Sequence, residues 1–417
     1  MGRQYEKRRQ RLIDALPEQS LVIMVGEIQK KRSADQYFPF WQAGDFYYLT
    51  GWEEPNAVMV LAKDKKKQQS LLFHKGHDAL DSKWHGENIS HQKAEDEYHF
   101  EQALSTEVFL QWLENNQERY QRVFMMEEDS NRKWQVALGE NKIDQKWLPQ
   151  QLMRMRIKKD EQELSHIKKA CQITANAHNE IIKMNARKQF EYEYEIAASF
   201  HYQCMIQGAT GLAYESIVAG GQNACILHYT KNRAKIEKDV CVLIDAGCSV
   251  SHYCADVSRT WPVFGKFTSE QKAVYELVLA VQRDIIKNSL PGTSMKALQQ
   301  QSRDQLLDGL MQMGIVDTKA DKEALFSECY GHGIGHSLGL DVHDPSPAKS
   351  DFILEKDMVI TIEPGVYLRD STLLKDKRFQ GIGVRIEDNI WLREGGNKNL
   401  TAAAEVDPQT VESMASG

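Results

Sequence analysis

The chain has 417 residues, more than a single hydrophobic core usually spans, so two domains are the natural expectation. Hydrophobic content of 41% and charged content of 27% are those of a soluble globular protein, and a net charge of -7 argues against a nucleic-acid-binding surface. No apolar run approaches membrane-spanning length, and Asp14, Pro17, Glu18 and Gln19 interrupt the apolar region that a secretory signal would need.

Along the chain, Leu21-Val22-Ile23-Met24-Val25 and Ala57-Val58-Met59-Val60-Leu61 are short apolar runs of buried-strand type. The polar Lys63-Asp64-Lys65 makes a turn before the next run at Leu71-Leu72-Phe73. Pro149 and the basic Lys158-Lys159 mark the best boundary, predicting a first domain over 1–157 and a second over 158–417. Asp160 then caps a helix with Glu163 at the capping-box position, and Leu164, Ile167, Cys171 and Thr174 recur at helical spacing toward Met184. Val240, Val242 and Ile244 alternate into a strand that ends at Asp245 and turns at Gly247. Its expected hairpin partner is Tyr253–Val257, which would set Asp245 opposite Asp256. Val359–Glu363 and Val384–Glu387 read as further strands, with Arg385 and Glu387 on one face of the latter. The fold class is α+β, with a curved antiparallel sheet in the second domain. The seven cysteines have irregular spacing and none lies in the first 170 residues, which fits free thiols in a reducing, cytoplasmic setting.

The chemistry concentrates in His332-Gly333-Ile334-Gly335-His336-Ser337-Leu338-Gly339-Leu340-Asp341-Val342-His343-Asp344, where three histidines and two aspartates occupy thirteen residues. Such a run is a poor way to build a core, and a metal is the obvious reason to hold those imidazoles. Asp245, Asp256, Glu363 and Glu387 add four carboxylates at strand ends or turns, which would repel one another in a low-dielectric cleft without cations. Any one of them alone is more often an exposed turn residue than a ligand. Together with His336 they form an oxygen-rich set with one imidazole and no thiolate, suited to Mn²⁺, or to Co²⁺ or Zn²⁺ under other supply. Two such ions about 3.5–4 Å apart share a bridging water, whose hydroxide attacks a carbonyl that the same ions polarise. The chemistry expected is amide hydrolysis.

These residues resemble the pita-bread metallopeptidases, specifically the Xaa-Pro aminopeptidase (aminopeptidase P) and prolidase branch. The His332–Asp344 run fills that branch's signature, and the resemblance extends to Gly220-Gly221-Gln222-Asn223, Ile226–Thr230 and Asn399-Leu400-Thr401. In the amino-terminal half, Arg32-Ser33-Ala34-Asp35 and Gly44–Gly51 are similar to that branch's accessory domain. The resemblance implies two divalent metal ions, with Asp245 and Asp256 on one, Asp256 bridging, His336 and Glu363 on the other, and Glu387 bridging both. Glu363 is then the general base. His228 and His343 stabilise the tetrahedral intermediate or the leaving group, His332 lines the proline pocket, and Arg385 with nearby Tyr367 orients the carboxylates. The substrates implied are short peptides with proline second, and the assembly a homodimer or homotetramer.

Gln380 stands where that branch often has Arg, Asn389 replaces a frequent Asp, and Ser337 replaces a larger residue; none of these is a ligand. Trp84 is similar to a tryptophan that reaches a neighbouring subunit's site in oligomeric relatives. Prolidase, which cleaves only Xaa-Pro dipeptides, shares every ligand and is the main alternative. A catalytically dead peptidase-like binding protein is less favoured, because such domains lose ligands.

Overall fold

The apolar runs of the amino-terminal half become the central strands of a six-stranded mixed sheet. In the computed structural model, which describes residues 2–65, 67–127, 143–188, 190–348 and 352–417, the chain separates into two compact units, Met1–Met155 and Arg156–Gly417. In the first, Ser20–Val25 pairs antiparallel with Val58–Lys63, and Val58–Lys63 with Gln68–His74. Gln102–Ser105 and Arg122–Phe124 add in parallel on either side, and Ile143–Asp144 extends the sheet beyond Arg122–Phe124. Period-two alternation turns Leu21, Ile23, Val58, Val60, Leu71 and Phe73 to one face, where Phe109 and Leu113 of the helix Phe109–Asn116 pack on them.

The second unit opens on the helix Glu161–Lys188. Its start is the predicted capping box: the Glu163 amide donates to Asp160 Oδ1 at 3.0 Å, and the Asp160 amide to Glu163 Oε2 at 2.9 Å. Leu164, Ile167, Cys171 and Thr174 are all buried along one stripe. Among the described residues, every strand pair of this unit is antiparallel. Cys241–Asp245 lies between Ile217–Gly220 and Ser258–Pro262, Val359–Ile362 pairs with Asp388–Arg393, and Gly365–Tyr367 with Gly383–Arg385.

The expected hairpin partner of the Asp245 strand is corrected. Asp245 pairs with Ser258, and the strand ahead of Asp256, Tyr253–Cys254, instead pairs with Cys248–Val250. Ser251 and His252 take positive φ (49° and 67°), closing a tight turn that absorbs the intervening residues. Asp256 therefore sits just before its strand rather than within it. The strand carrying Arg385 likewise ends at Arg385, and a new one starts at Asp388, leaving Glu387 in the link between them. Among the described residues no helix is long and apolar enough to cross a membrane.

Candidate metal centre

Two backbone crossings bring the predicted ligands together. Gly247 runs so close to the next segment that a Cβ there would lie 1.8 Å from Ala255 O, which keeps the Asp245 and Asp256 segments side by side. Gly335 does the same against Thr361, with a Cβ 1.9 Å from its carbonyl oxygen. The ladder Thr361 N–H to His336 O and Glu363 N–H to Ile334 O, each 2.9 Å, locks the His-rich run beside the Glu363 strand. Only glycine fits at either crossing.

The result is one cavity of about 150 Å³ lined by His228, Asp245, Asp256, His332, His336, His343, Glu363, Arg385 and Glu387. Of the ten residues predicted for the site, only Tyr367 is not in its lining; it stands immediately behind, hydrogen-bonded to two that are. Ligand atoms of Asp256, His336 and Glu387 all lie within 4.8 Å of one another. His336 Nε2 is 3.4 Å from Asp256 Oδ2 and 3.5 Å from Glu363 Oε1. Its Nδ1 faces Ser337 O at 3.1 Å, so the neutral ring donates from Nδ1 and leaves the Nε2 lone pair toward the carboxylates.

Arg385 organises the other side. Its Nη2 donates to Asp245 Oδ2 at 2.7 Å, its Nε to Ser258 Oγ at 2.8 Å, and Ser258 Oγ passes on to Glu387 Oε2 at 2.8 Å. Its Nη1 donates to Tyr367 Oη at 2.8 Å, and Tyr367 Oη lies 2.8 Å from His332 Nε2. A hydroxyl that accepts from arginine is free to donate onward, so neutral His332 receives at Nε2 and gives its Nδ1 proton to Gly333 O, 2.8 Å away.

The carboxylates lack countercharge. Burial raises Asp245 to about 6, with Arg385 pulling it down and Asp256 pushing it up. Burial likewise raises Glu363 to about 7 against the pull of His336. Glu387 stands well above the usual carboxylate range, from burial and then from Asp256, Glu363 and Asp245. At Asp256, burial opposes ionisation, but the hydrogen bond and charge of His336 hold it below its ordinary value. For His336, burial opposes protonation, yet the bond to Asp256 and the charge of Glu363 lift it to about 9. Glu387 Oε1 is buried and has no hydrogen-bond partner among the described residues. An orphaned carboxylate oxygen among raised carboxyls, with an imidazole nitrogen that can ligate once its proton is lost, is a donor set that fits hard or borderline divalent cations.

Three contributors escaped sequence reasoning. Tyr214 Oη donates to Asp245 Oδ1 at 2.6 Å and also contacts Asp256 Oδ1, bracing the two aspartates. Thr361 Oγ1 accepts from the His336 amide at 3.1 Å and donates to Glu363 Oε1 at 3.3 Å. Asn389 is more than a tolerated variation: its Nδ2 donates to Asp256 O at 2.5 Å while its Oδ1 accepts from the Asp256 amide at 3.0 Å. An aspartate could not make both bonds. Trp84 is 83% exposed on the short helix Ala79–His85, within the first unit.

Residues 165–394 match the metallopeptidase family M24, and residues 5–124 the aminopeptidase P N-terminal domain. The chain belongs to family M24. It is a hydrolase of the aminopeptidase P branch with the two-domain, pita-bread architecture. Among M24 relatives, it is 36% identical to the Xaa-Pro aminopeptidase of Haemophilus influenzae, covering 99% of this chain and 96% of that one. Against the Xaa-Pro aminopeptidase of Escherichia coli the identity is 32%, covering 99% and 97%. The solved structure of E. coli aminopeptidase P with the inhibitor Pro-Leu superposes with a TM-score of 0.91 at 31% identity, over 100% of this chain and 98% of that one.

Proposed function

We propose that this protein is an Xaa-Pro aminopeptidase that releases the first residue from peptides with proline second, using two divalent metal ions, most simply Mn²⁺. The observation that carries this reading is the single cavity on which four carboxylates, four histidines and Arg385 converge. Asp245, Asp256, His336, Glu363 and Glu387 would hold the ions, and the curated relatives named Xaa-Pro aminopeptidase support the substrate class. The bound ions would supply a hydroxide near neutral pH and polarise the scissile carbonyl.

This chain's own residues then do the rest. Glu363, whose carboxyl is raised by burial in the metal-free cleft, would be the general base that takes and returns the proton. Arg385 and Tyr214 hold Asp245, and the Arg385–Tyr367–His332 chain fixes the His332 ring against the cavity wall for the proline ring. His343, kept below its ordinary pKa by burial and then by the charge of His336, and His228, which lines the same cavity, face the carbonyl and the departing nitrogen. An Xaa-Pro bond has no N–H to pair as a β-strand, so recognition by a shaped pocket and by the free amino terminus suits it. The first unit would be the accessory domain, with the catalytic domain over 158–417. Seven buried free thiols support a reducing compartment such as the cytoplasm. A homodimer or homotetramer is proposed by likeness to the family.

Incubation of the Mn²⁺-loaded protein with Gly-Pro and with an Arg-Pro-Pro peptide tests this. Release of arginine from the longer peptide is expected; turnover of the dipeptide alone would make the protein a prolidase.

A further inference from the structure

Beside the cavity lies a second buried group of charges with no part in the chemistry above. Asp344 directly follows His343, and its carboxylate is 1% exposed. Arg156 Nη2 donates to Asp344 Oδ1 at 2.7 Å and Lys159 Nζ to Asp344 Oδ2 at 2.9 Å, and both cations are themselves buried. Arg156 Nη2 also reaches Asp341 Oδ2 at 2.7 Å, a carboxylate 46% exposed. The Asp341 amide donates to Asp344 Oδ1 at 3.2 Å, and the Asp344 amide to Ser337 O at 2.9 Å. Gly339 seals the group, since a Cβ there would meet the Asp344 carboxylate at 2.7 Å. Two positive and two negative charges balance, and each is tied to the backbone of the loop or to the start of the second unit.

His343 contrasts with its neighbour. Its ring lines the cavity with its centroid 4.3 Å from that of His336, yet among the described residues no hydrogen bond reaches it. The direction of an unbonded ring is set by its backbone, and this backbone is anchored one residue on, at Asp344. We propose that Arg156, Lys159 and Asp344 are positioning residues for His343: the buried ion cluster holds the 341–344 loop so that the imidazole faces the reacting carbonyl and the departing proline nitrogen. The inference rests on the aminopeptidase reading, in which His343 touches substrate.

A double-mutant cycle tests it in the full-length, metal-loaded protein. Lys159→Met is expected to lower kcat about tenfold with KM changed less than about threefold, the pattern of a lost transition-state interaction. His343→Ala and the double variant His343→Ala/Lys159→Met should then agree within about twofold, because one effect acts through the other. Losses that multiply would overturn the proposal. Asp341→Ala, which removes only the half-exposed arm, serves the same cycle if Lys159→Met does not fold. Independently of turnover, histidine-selective labelling of the Zn²⁺-loaded protein should show the His343 ring signal, assigned with His343→Gln, moving in Asp341→Ala while that of the exposed His201 stays. A stationary His343 signal would overturn the positioning role. A wild-type protein inert on Xaa-Pro peptides would remove the functional reading and leave this measurement to decide the positioning.

Discussion

Asp344 and Glu387 are both buried carboxylates of the second unit, yet their electrostatics run in opposite directions. Around Asp344, Arg156 and Lys159 balance Asp341 and Asp344, and although burial opposes ionisation the two cations hold its carboxyl below the ordinary value. Around Glu387, four carboxylates share one arginine, Arg385, and burial drives Asp245, Glu363 and Glu387 upward. With His336 neutral that group carries a formal charge of -3 (four carboxylates less one arginine), which two divalent cations with one hydroxide would cancel. The first cluster is complete as it stands and serves as scaffold. The second is left with excess negative charge, and incompleteness of that kind marks a functional site.

The comparison breaks most visibly at Glu363. Glu363→Ala should lower peptide hydrolysis by on the order of 10²–10⁴-fold, the range for a general base, measured as release of the first residue under saturating Mn²⁺; near-wild-type turnover would refute its assignment. Asp344→Asn should cost about 3–5 kcal/mol, because it strands two buried cations. The sign with pH follows from the depressed value. The stabilisation by Asp344 is present above the ordinary aspartate pKa of about 3.9 and is lost as pH falls through the folded value, so the Tm gap between wild type and variant should narrow in acid. A gap constant with pH would mean that the loss is steric.

Metal binding offers a subtler measure. Asp245 at about 6, Glu363 at about 7 and His336 at about 9 must all give up protons to ligate. Titration of the metal-free protein with Mn²⁺ in weak buffer should therefore release more protons at about pH 6 than at about pH 10. Equal release at both would show that the cluster is already ionised. At the small end, Trp84→Ala should change the stability of the chain by less than about 0.5 kcal/mol, as for surface sites away from the core.

Much of this was legible in the sequence because it is local. The Asp160–Glu163 cap, the stripe from Leu164 to Thr174 and the alternation into Asp245 each depend on neighbours a few residues away. The ten candidate residues could be picked out because several unusual residues share short motifs. Tyr214 and Asn389 did not emerge, since each is a single residue whose partner lies 31 to 133 positions away. The hairpin partner of Asp245 was misjudged for a related reason: the turn at Ser251–His252 requires positive φ from residues that do not advertise it. Nor could spacing reveal that Arg156 and Lys159 reach Asp344, 188 and 185 residues on.

All seven cysteines, from Cys171 to Cys329, are buried free thiols, and every one belongs to the second unit. An alkylating reagent can modify them only when that unit opens. The uptake of label with time is thus a built-in stopwatch for the catalytic unit alone, blind to whatever the first 155 residues do. Run with and without Mn²⁺, the same clock would report how much the bound ions slow that opening, with no change to the sequence.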